Sequence, residues 1–118
     1  MAYRVIPLLL MAALLASGCA GARPSGPQQV MIRMSEFKFE PANVTVKANQ
    51  PVQVTVRNMG TVAHDWVVQG LDEQISARAE PGQSASAQFT PPRAGTFRII
   101  CAELGHEQAG MVGQLTVQ

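Results

Sequence analysis

The fold is decided by residues 96–117, which read TFRIICAELGHEQAGMVGQLTV. Phe97, Ile99 and Cys101 fall on one face of the first part of this stretch, and the same alternation resumes at Met111. A period of two between apolar residues is typical of half-buried β-strands. The stretch therefore predicts two strands, 96–101 and 111–117, joined by one short loop.

Short alternating runs also fill the chain outward from this stretch, and glycine, proline and asparagine separate them. Apolar side chains share one face within each of the runs 43–47, 51–57, 62–68 and 84–89. Residues 30–39 change phase in the middle, which indicates a bulge near Ser35 and Glu36, and residues 71–79 fit either a strand or a short helical crossover. Seven to eight strands of this kind predict an all-β sandwich of two antiparallel sheets packed face to face.

Residues 1–18 have the pattern of a secretory signal peptide. The basic Arg4 precedes an apolar run over residues 5–16, and small residues follow before Cys19. This run is shorter than the roughly 20 residues that a membrane-spanning helix needs. We therefore predict that residues 1–18 direct export of the protein to the periplasmic or extracellular face of a bacterial membrane.

The residues before Cys19 resemble a bacterial lipobox, in which the signal is cut before a cysteine that then carries acyl chains. Leu15 lies one position further from this cysteine than the usual lipobox leucine. The resemblance implies a lipid on Cys19 that anchors the protein to the membrane; the alternative is an ordinary signal peptide whose Cys19 is lost or free. Residues 19–29 predict a flexible tether, and the folded domain is expected at residues 30–118.

The charge balance and the cysteine count restrict the function. The chain has nine Lys and Arg against eight Asp and Glu, and it has no basic run that predicts a nucleic-acid partner. If Cys19 carries lipid, Cys101 is the one remaining thiol in an oxidising compartment. We expect such a thiol to be reactive, paired with another chain, or bound to a metal. A disulfide between Cys19 and Cys101 is the remaining alternative.

Four side chains form a candidate metal site. The chain has only two histidines, and one of them lies in the loop between Cys101 and Met111. The other histidine, like that cysteine and methionine, shares the apolar face of its predicted strand, so three potential ligands point inward near strand ends. Two imidazoles, one thiolate and a thioether are the ligand set of blue copper sites. We therefore predict one copper ion, cycling between Cu(I) and Cu(II), held by His64, Cys101, His106 and Met111.

Zinc matches this set less well, because zinc sites use histidine, cysteine and carboxylate rather than thioether. The carboxylates of Glu103 and Glu107 lie in the same loop, so the residues alone leave a carboxylate ligand open. Taken singly, a cysteine or methionine on an apolar face is more often part of a core. The prediction of a metal site rests on all four residues occurring together, with every histidine of the chain among them.

These residues resemble the cupredoxin family, and most closely its small plastocyanin- and azurin-like members with an auracyanin-like ligand loop. The matching residues are Phe37-x-Phe39-x-Pro41, the upstream His64, Gly105-His106 and the segment 109–113. The spacing Cys-x4-His-x4-Met is that of the auracyanin-like group. The resemblance covers residues 30–118 and implies a Greek-key β-sandwich with copper near one end and one-electron transfer as its function.

The resemblance also implies roles for residues around the copper ligands. The residue after the first histidine is commonly asparagine in the family, and here it is Asp65. Its backbone N–H is expected to point at the Cys101 sulfur, and its changed side chain bears on the reduction potential. His106 is expected to have its ring edge near the surface, where electrons enter and leave. The residues expected to surround that edge are Met59, Gly60, Ala109 and Gly110.

These expectations describe an electron carrier rather than an enzyme. Multicopper oxidases and copper nitrite reductases need further histidines for their additional copper ions, and this chain has none left. We therefore expect a monomer that carries single electrons between redox proteins, which dock near His106 at a membrane surface. Two alternatives stay open: a periplasmic copper carrier or chaperone with no redox duty, and a metal-free adhesion-type sandwich.

Overall fold

The structure, a computed structural model, describes Met1, Gly21 and residues 26–118. Residues 2–18 of the expected signal, Cys19 and most of the expected tether lie outside the described residues, so the lipidated cysteine stays a prediction. Nothing among residues 26–118 is helical, and the described part of the chain has no helix long and apolar enough to span a membrane.

Nine strands build the described domain. In chain order they are β1 (Gln28–Ser35), β2 (Lys38–Glu40), β3 (Asn43–Val46), β4 (Val52–Asn58), β5 (His64–Val68), β6 (Ile75–Ala79), β7 (Ser84–Phe89), β8 (Gly95–Ile100) and β9 (Val112–Val117). Sheet I has the strand order β2-β1-β4-β7, and sheet II has the order β3-β9-β8-β5-β6. The all-β prediction is confirmed, with one strand more than the upper count of eight.

Both sheets are mixed, which corrects the expectation of two antiparallel sheets. Strand β1 runs parallel to β4, and β3 runs parallel to β9, while the other pairs are antiparallel. A parallel pair needs a crossover connection, and the chain makes one by visiting sheet II as β3 between β1 and β4. Alternation identifies the buried face of a strand but not its direction, so the pattern alone did not reveal this.

The structure revises three local predictions: the phase shift near Ser35, the form of residues 71–79 and the start of the folded domain. The phase shift near Ser35 and Glu36 is a tight hairpin and not a bulge, because Ser35 pairs with Lys38 across the β1–β2 turn. Residues 71–79, which fitted a strand or a helix, end in the strand β6. Strand β1 already begins at Gln28, whose backbone N–H donates to the Pro51 carbonyl over 2.8 Å. The last two residues of the expected tether therefore belong to sheet I.

The inward faces of the strands meet in one apolar core. In β4, Val52, Val54 and Val56 are fully buried while the residues between them are partly exposed. The alternation seen in the sequence thus becomes the inner and outer faces of the sheet. The core continues to one end of the sandwich, where Cys101 and Met111 belong to the same buried cluster. The predicted ligands therefore adjoin the rigid interior of the domain.

Candidate metal centre

Three side chains bring their ligand atoms together at one end of sheet II. His64 is the first residue of β5, Cys101 directly follows β8, and His106 lies in the loop from β8 to β9. Because β5 and β8 are antiparallel neighbours, the beginning of one strand lies beside the end of the other. One ligand atom from each residue can be chosen so that all three lie within 4.8 Å of one another.

The separations of these atoms fit a shared metal ion. The Nδ1 atoms of His64 and His106 are 3.2 Å apart, and the Cys101 Sγ is 3.4 Å from the His106 Nδ1. Metal–nitrogen bonds of about 2.0 Å and metal–sulfur bonds of about 2.3 Å place such donors roughly 3.3–3.6 Å apart at tetrahedral angles. Two of the three pairs of ligand atoms therefore have the spacing that a bound ion requires.

Burial shapes the chemistry of the site. His64 and Cys101 have no exposed surface, while His106 is half-buried. Burial raises the pKa of the Cys101 thiol to about 11, because a thiolate without a counter-charge is unstable in an apolar setting. The cysteine is free and not part of a disulfide. A metal bound here has to displace the thiol proton, as metal binding to cysteine generally does.

Met111, the fourth predicted ligand, is tied to the other two loop residues through its backbone. Its N–H donates to the His106 carbonyl over 3.0 Å, and its own carbonyl accepts the Cys101 N–H over 3.2 Å. Its side chain is fully buried. These bonds close the base of the loop, so the four predicted residues lie at the same end of the sandwich.

Two ion pairs between arginine and glutamate also anchor the loop from β8 to β9. Arg78 Nε lies 2.9 Å from the Glu103 carboxylate, and Arg98 lies 3.0 Å from the Glu107 carboxylate. Both acidic side chains, which the sequence left open as ligands, are therefore paired with arginine. The cluster of potential ligand atoms in the described part of the chain contains no carboxylate. Because these pairs are partly exposed, we regard them as anchors of loop geometry rather than large contributions to stability.

Asp65 braces the loop from the other side. Its backbone N–H points at the Cys101 Sγ over 3.5 Å, and its side-chain Oδ1 accepts the Ala102 N–H over 2.6 Å. The first of these contacts is the one that the family resemblance implies. The second shows that an aspartate at this position still ties the strand that carries His64 to the loop that carries Cys101.

Two further residues that organise the site were missed from the sequence. Asn58, at the end of β4, is fully buried. Its amide donates to the carbonyls of Val62 and Ala79 over 2.7 and 2.9 Å, and its Oδ1 accepts the Gly60 N–H over 2.8 Å. The sequence did contain a signal for Asn58, because it is a polar residue at an inward position of a strand whose other inward residues are valines. Asn58 holds the segment that leads into His64.

Glu36 is the second missed residue. Its Oε1 accepts the backbone N–H groups of Thr61 and Val62 over 2.7 and 3.1 Å, and it lies 3.4 Å from the Nε2 of His64. These contacts, the Thr61 N–H first among them, hold the pKa of the Glu36 carboxyl at about 2. The residue was assigned to a bulge, and its partners are too distant in the chain for any local pattern to reveal them.

The His106 ring has an aromatic neighbour that the sequence did not reveal. Phe37 packs edge-on against the His106 ring, with centroids 5.0 Å apart and planes at 71°. Phe37, Met59 and Leu104 are exposed apolar side chains, and Ala109 and Gly110 are also exposed. The residues predicted to surround the His106 ring edge are Met59, Gly60, Ala109 and Gly110, whereas Phe37, which packs against the ring, was not predicted. Phe37 covers part of the ring while leaving His106 half-buried.

Comparison with known proteins supplies the family. The model of the Cupredoxin-like domain matches residues 6–117, which is nearly the whole chain. This chain belongs to the cupredoxin-like family. The cluster of His64, Cys101 and His106 in this cupredoxin therefore lies in a cupredoxin-like fold.

Similar proteins point to copper as well. Copper-resistant cuproprotein CopI of Rubrivivax gelatinosus is 29% identical over 123 residues, covering 86% of this chain and 73% of that protein. A protein of the same name from Pseudomonas aeruginosa is 49% identical over 47 residues, which cover 40% of this chain but only 26% of the relative.

Solved structures show the same fold. Auracyanin A, a "blue" copper protein of Chloroflexus aurantiacus, superposes with a TM-score of 0.70 at 25% identity, covering 79% of this chain and all of that chain. A multicopper oxidase from Campylobacter jejuni matches with a TM-score of 0.67 at 14% identity, over 82% of this chain and 31% of the oxidase. At that identity the likeness to the oxidase shows the fold alone.

Proposed function

We propose that this cupredoxin is a type 1 copper protein that binds one copper ion and carries single electrons. The observation that carries the proposal is the convergence of the His64 Nδ1, His106 Nδ1 and Cys101 Sγ at one end of a rigid sandwich. With the buried Met111 beside them, these residues form the ligand set of blue copper sites. When bound, copper supplies the one-electron Cu(II)/Cu(I) couple.

The protein's own part in electron transfer is to keep the ligands still. His64 starts a strand, Cys101 ends one, and the loop base is closed by the bonds between Met111 and its neighbours. Fast electron transfer needs little rearrangement between the two oxidation states, and a set of ligands braced by Asp65 and Asn58 moves little.

His106 is the proposed route for electrons. It is the one histidine of the cluster with exposed surface, and apolar side chains flank it. An apolar patch without a dense charge cluster suits brief docking by a redox protein over a small interface. We propose that partners dock at this end, that the protein acts as a monomer, and that it acts without catalysing a reaction of its own.

The proposed location is the periplasmic or extracellular face of a bacterial membrane. It depends on the predicted signal at residues 1–18 and a lipid on Cys19, with residues 19–27 as the tether between that lipid and β1. Such a tether lets a small domain stay at the membrane while its copper end reaches a partner.

Cyclic voltammetry of the protein loaded with one equivalent of copper tests the proposed function as an electron carrier. We expect one reversible one-electron wave, because the braced ligands keep their positions in both oxidation states. Protein without copper is the control and shows no wave. An irreversible response from protein that has bound copper would contradict the proposal.

A copper carrier or resistance protein is the second candidate, and the relatives named copper-resistant cuproprotein favour it. The two functions differ in how firmly copper is kept. A copper carrier delivers its ion, so copper passes to a competing chelator or acceptor protein within minutes. An electron carrier retains its copper through many redox cycles. Transfer of copper without a reversible wave supports the second candidate.

A further inference from the structure

The outer nitrogen of His64, Nε2, lies close to the carboxylate of Glu36. The ring is fully buried, and its Nδ1 belongs to the ligand cluster. Its Nε2 has no hydrogen bond of normal geometry with any described residue, and the nearby acceptor is the Glu36 Oε1 at 3.4 Å. A buried ring nitrogen without a partner is costly. The carboxylate is thus positioned to supply the acceptor that this nitrogen needs, at a distance that a small adjustment of the side chain would close.

The two nitrogens of a neutral imidazole have opposite roles. If Nδ1 presents its lone pair to a metal, Nε2 must carry the proton and act as a donor. A carboxylate at Nε2 favours this tautomer, and it also makes the imidazole a stronger ligand. The Glu36 carboxylate, 3.4 Å from Nε2, is placed to favour the form of His64 that can bind a metal through Nδ1.

Glu36 is itself held in place by several contacts. Its Oε1 accepts from the Thr61 and Val62 backbones and from the Thr61 hydroxyl at 3.3 Å. Gly60 makes room for the carboxylate, because a Cβ at residue 60 would overlap both of its oxygens. The hairpin between β1 and β2 thus inserts an acidic side chain against the segment that leads into His64.

We propose that Glu36 is a positioning residue that fixes the His64 tautomer and lowers the reduction potential of the copper site. The proposal rests on the proposed copper function. Its physical basis is that a negative charge hydrogen-bonded to a ligand stabilises Cu(II), which has the larger positive charge, more than Cu(I). A site with a neutral acceptor in place of Glu36 therefore has a higher potential.

The variant Glu36→Gln tests the charge. Glutamine keeps one oxygen for the backbone bonds of Thr61 and Val62 but carries no charge. We expect the equilibrium ratio of Cu(I) to Cu(II) to increase about tenfold. This corresponds to a rise of about 59 mV in the reduction potential of a one-electron couple. The matched control is Glu40→Gln, which removes the same charge from an exposed residue whose carboxylate pairs with Lys38. We expect the control to change the potential by much less.

Nitrogen NMR of the metal-free wild-type protein tests the tautomer without any copper. We expect the His64 ring to carry its proton on Nε2, with Nδ1 unprotonated. A proton on Nδ1 overturns the proposal, and so does a Glu36→Gln variant whose potential equals that of the control. If wild-type protein fails to bind copper, the function proposed above fails, while the NMR result still decides the role of Glu36.

Discussion

Replacing Cys101 with serine is expected to abolish the intense visible absorption of the copper-loaded protein and to weaken copper binding by on the order of 100-fold or more. The absorption of a blue copper site arises from charge transfer between the cysteine sulfur and copper, and a hydroxyl has no such transition. Serine is nearly the same size, and Cys101 makes no disulfide, so the fold is expected to persist. Absorption spectra during copper titration, with circular dichroism for folding, measure both effects.

The matched control is Met59→Leu. Met59 is an exposed methionine at the same end of the domain, and it lies outside the proposed ligand set, so its replacement should leave the absorption unchanged. Full colour in the folded Cys101→Ser variant contradicts the assignment of Cys101 as the sulfur ligand. Loss of colour in both variants points instead to a general disturbance of this end of the sandwich.

The second large effect is expected from Gly113→Ala. Gly113 lies in β9, and a Cβ on it would overlap the carbonyl oxygen of Ala42. That carbonyl accepts the Gln114 N–H over 2.9 Å, next to the parallel pairing of β3 with β9. The added methyl group therefore forces the two backbones apart. We expect a loss of about 3 kcal/mol in the free energy of unfolding, or roughly 15 °C in melting temperature.

Thermal unfolding of the metal-free protein measures this effect separately from copper binding. Gly26→Ala is the matched control, because a Cβ there meets no atom within 4 Å, and we expect its melting temperature to stay near that of the wild type. Equal stability of both variants would show that β3 and β9 do not approach each other as described.

The sequence predicted much of the fold because burial alternates along most strands. In β4 the valines at every second position are buried, and in β9 Leu115 and Val117 are, so the inward faces follow from the period of the apolar residues. Strand direction does not follow, since the parallel pairing of β1 with β4 depends on a crossover between residues distant in the chain. The β1–β2 hairpin was missed for a related reason, because a phase change is compatible with either a bulge or a turn.

The candidate site was predictable to the extent that its chemistry is rare. With two histidines and one spare cysteine, the choice of His64, Cys101 and His106 was almost forced, and the structure brings all three together. The surrounding contacts were not predictable. Glu36 reaches Thr61 across 25 positions of the chain, and no local pattern marks an ordinary glutamate as a partner of a buried histidine.

Phe37 illustrates the same limit at the surface. Its alternation with Phe39 indicated one buried face, yet only Phe39 is buried, while Phe37 remains 43% exposed and packs on His106. The hairpin turn reverses the chain between these strands, so side-chain direction at residue 37 depends on tertiary structure. Small and apolar residues near His106 were predicted, but the contact of Phe37 with the ring required the structure.

X-ray absorption spectroscopy at the copper edge tests the ligand assignment most directly. For wild-type protein with one equivalent of Cu(II), we predict a first shell of two imidazole nitrogens and one short bond to a thiolate sulfur. A shell made only of nitrogen and oxygen would show that the buried thiol and the two histidines do not share an ion, and the account of this protein as a copper protein built on them would be wrong.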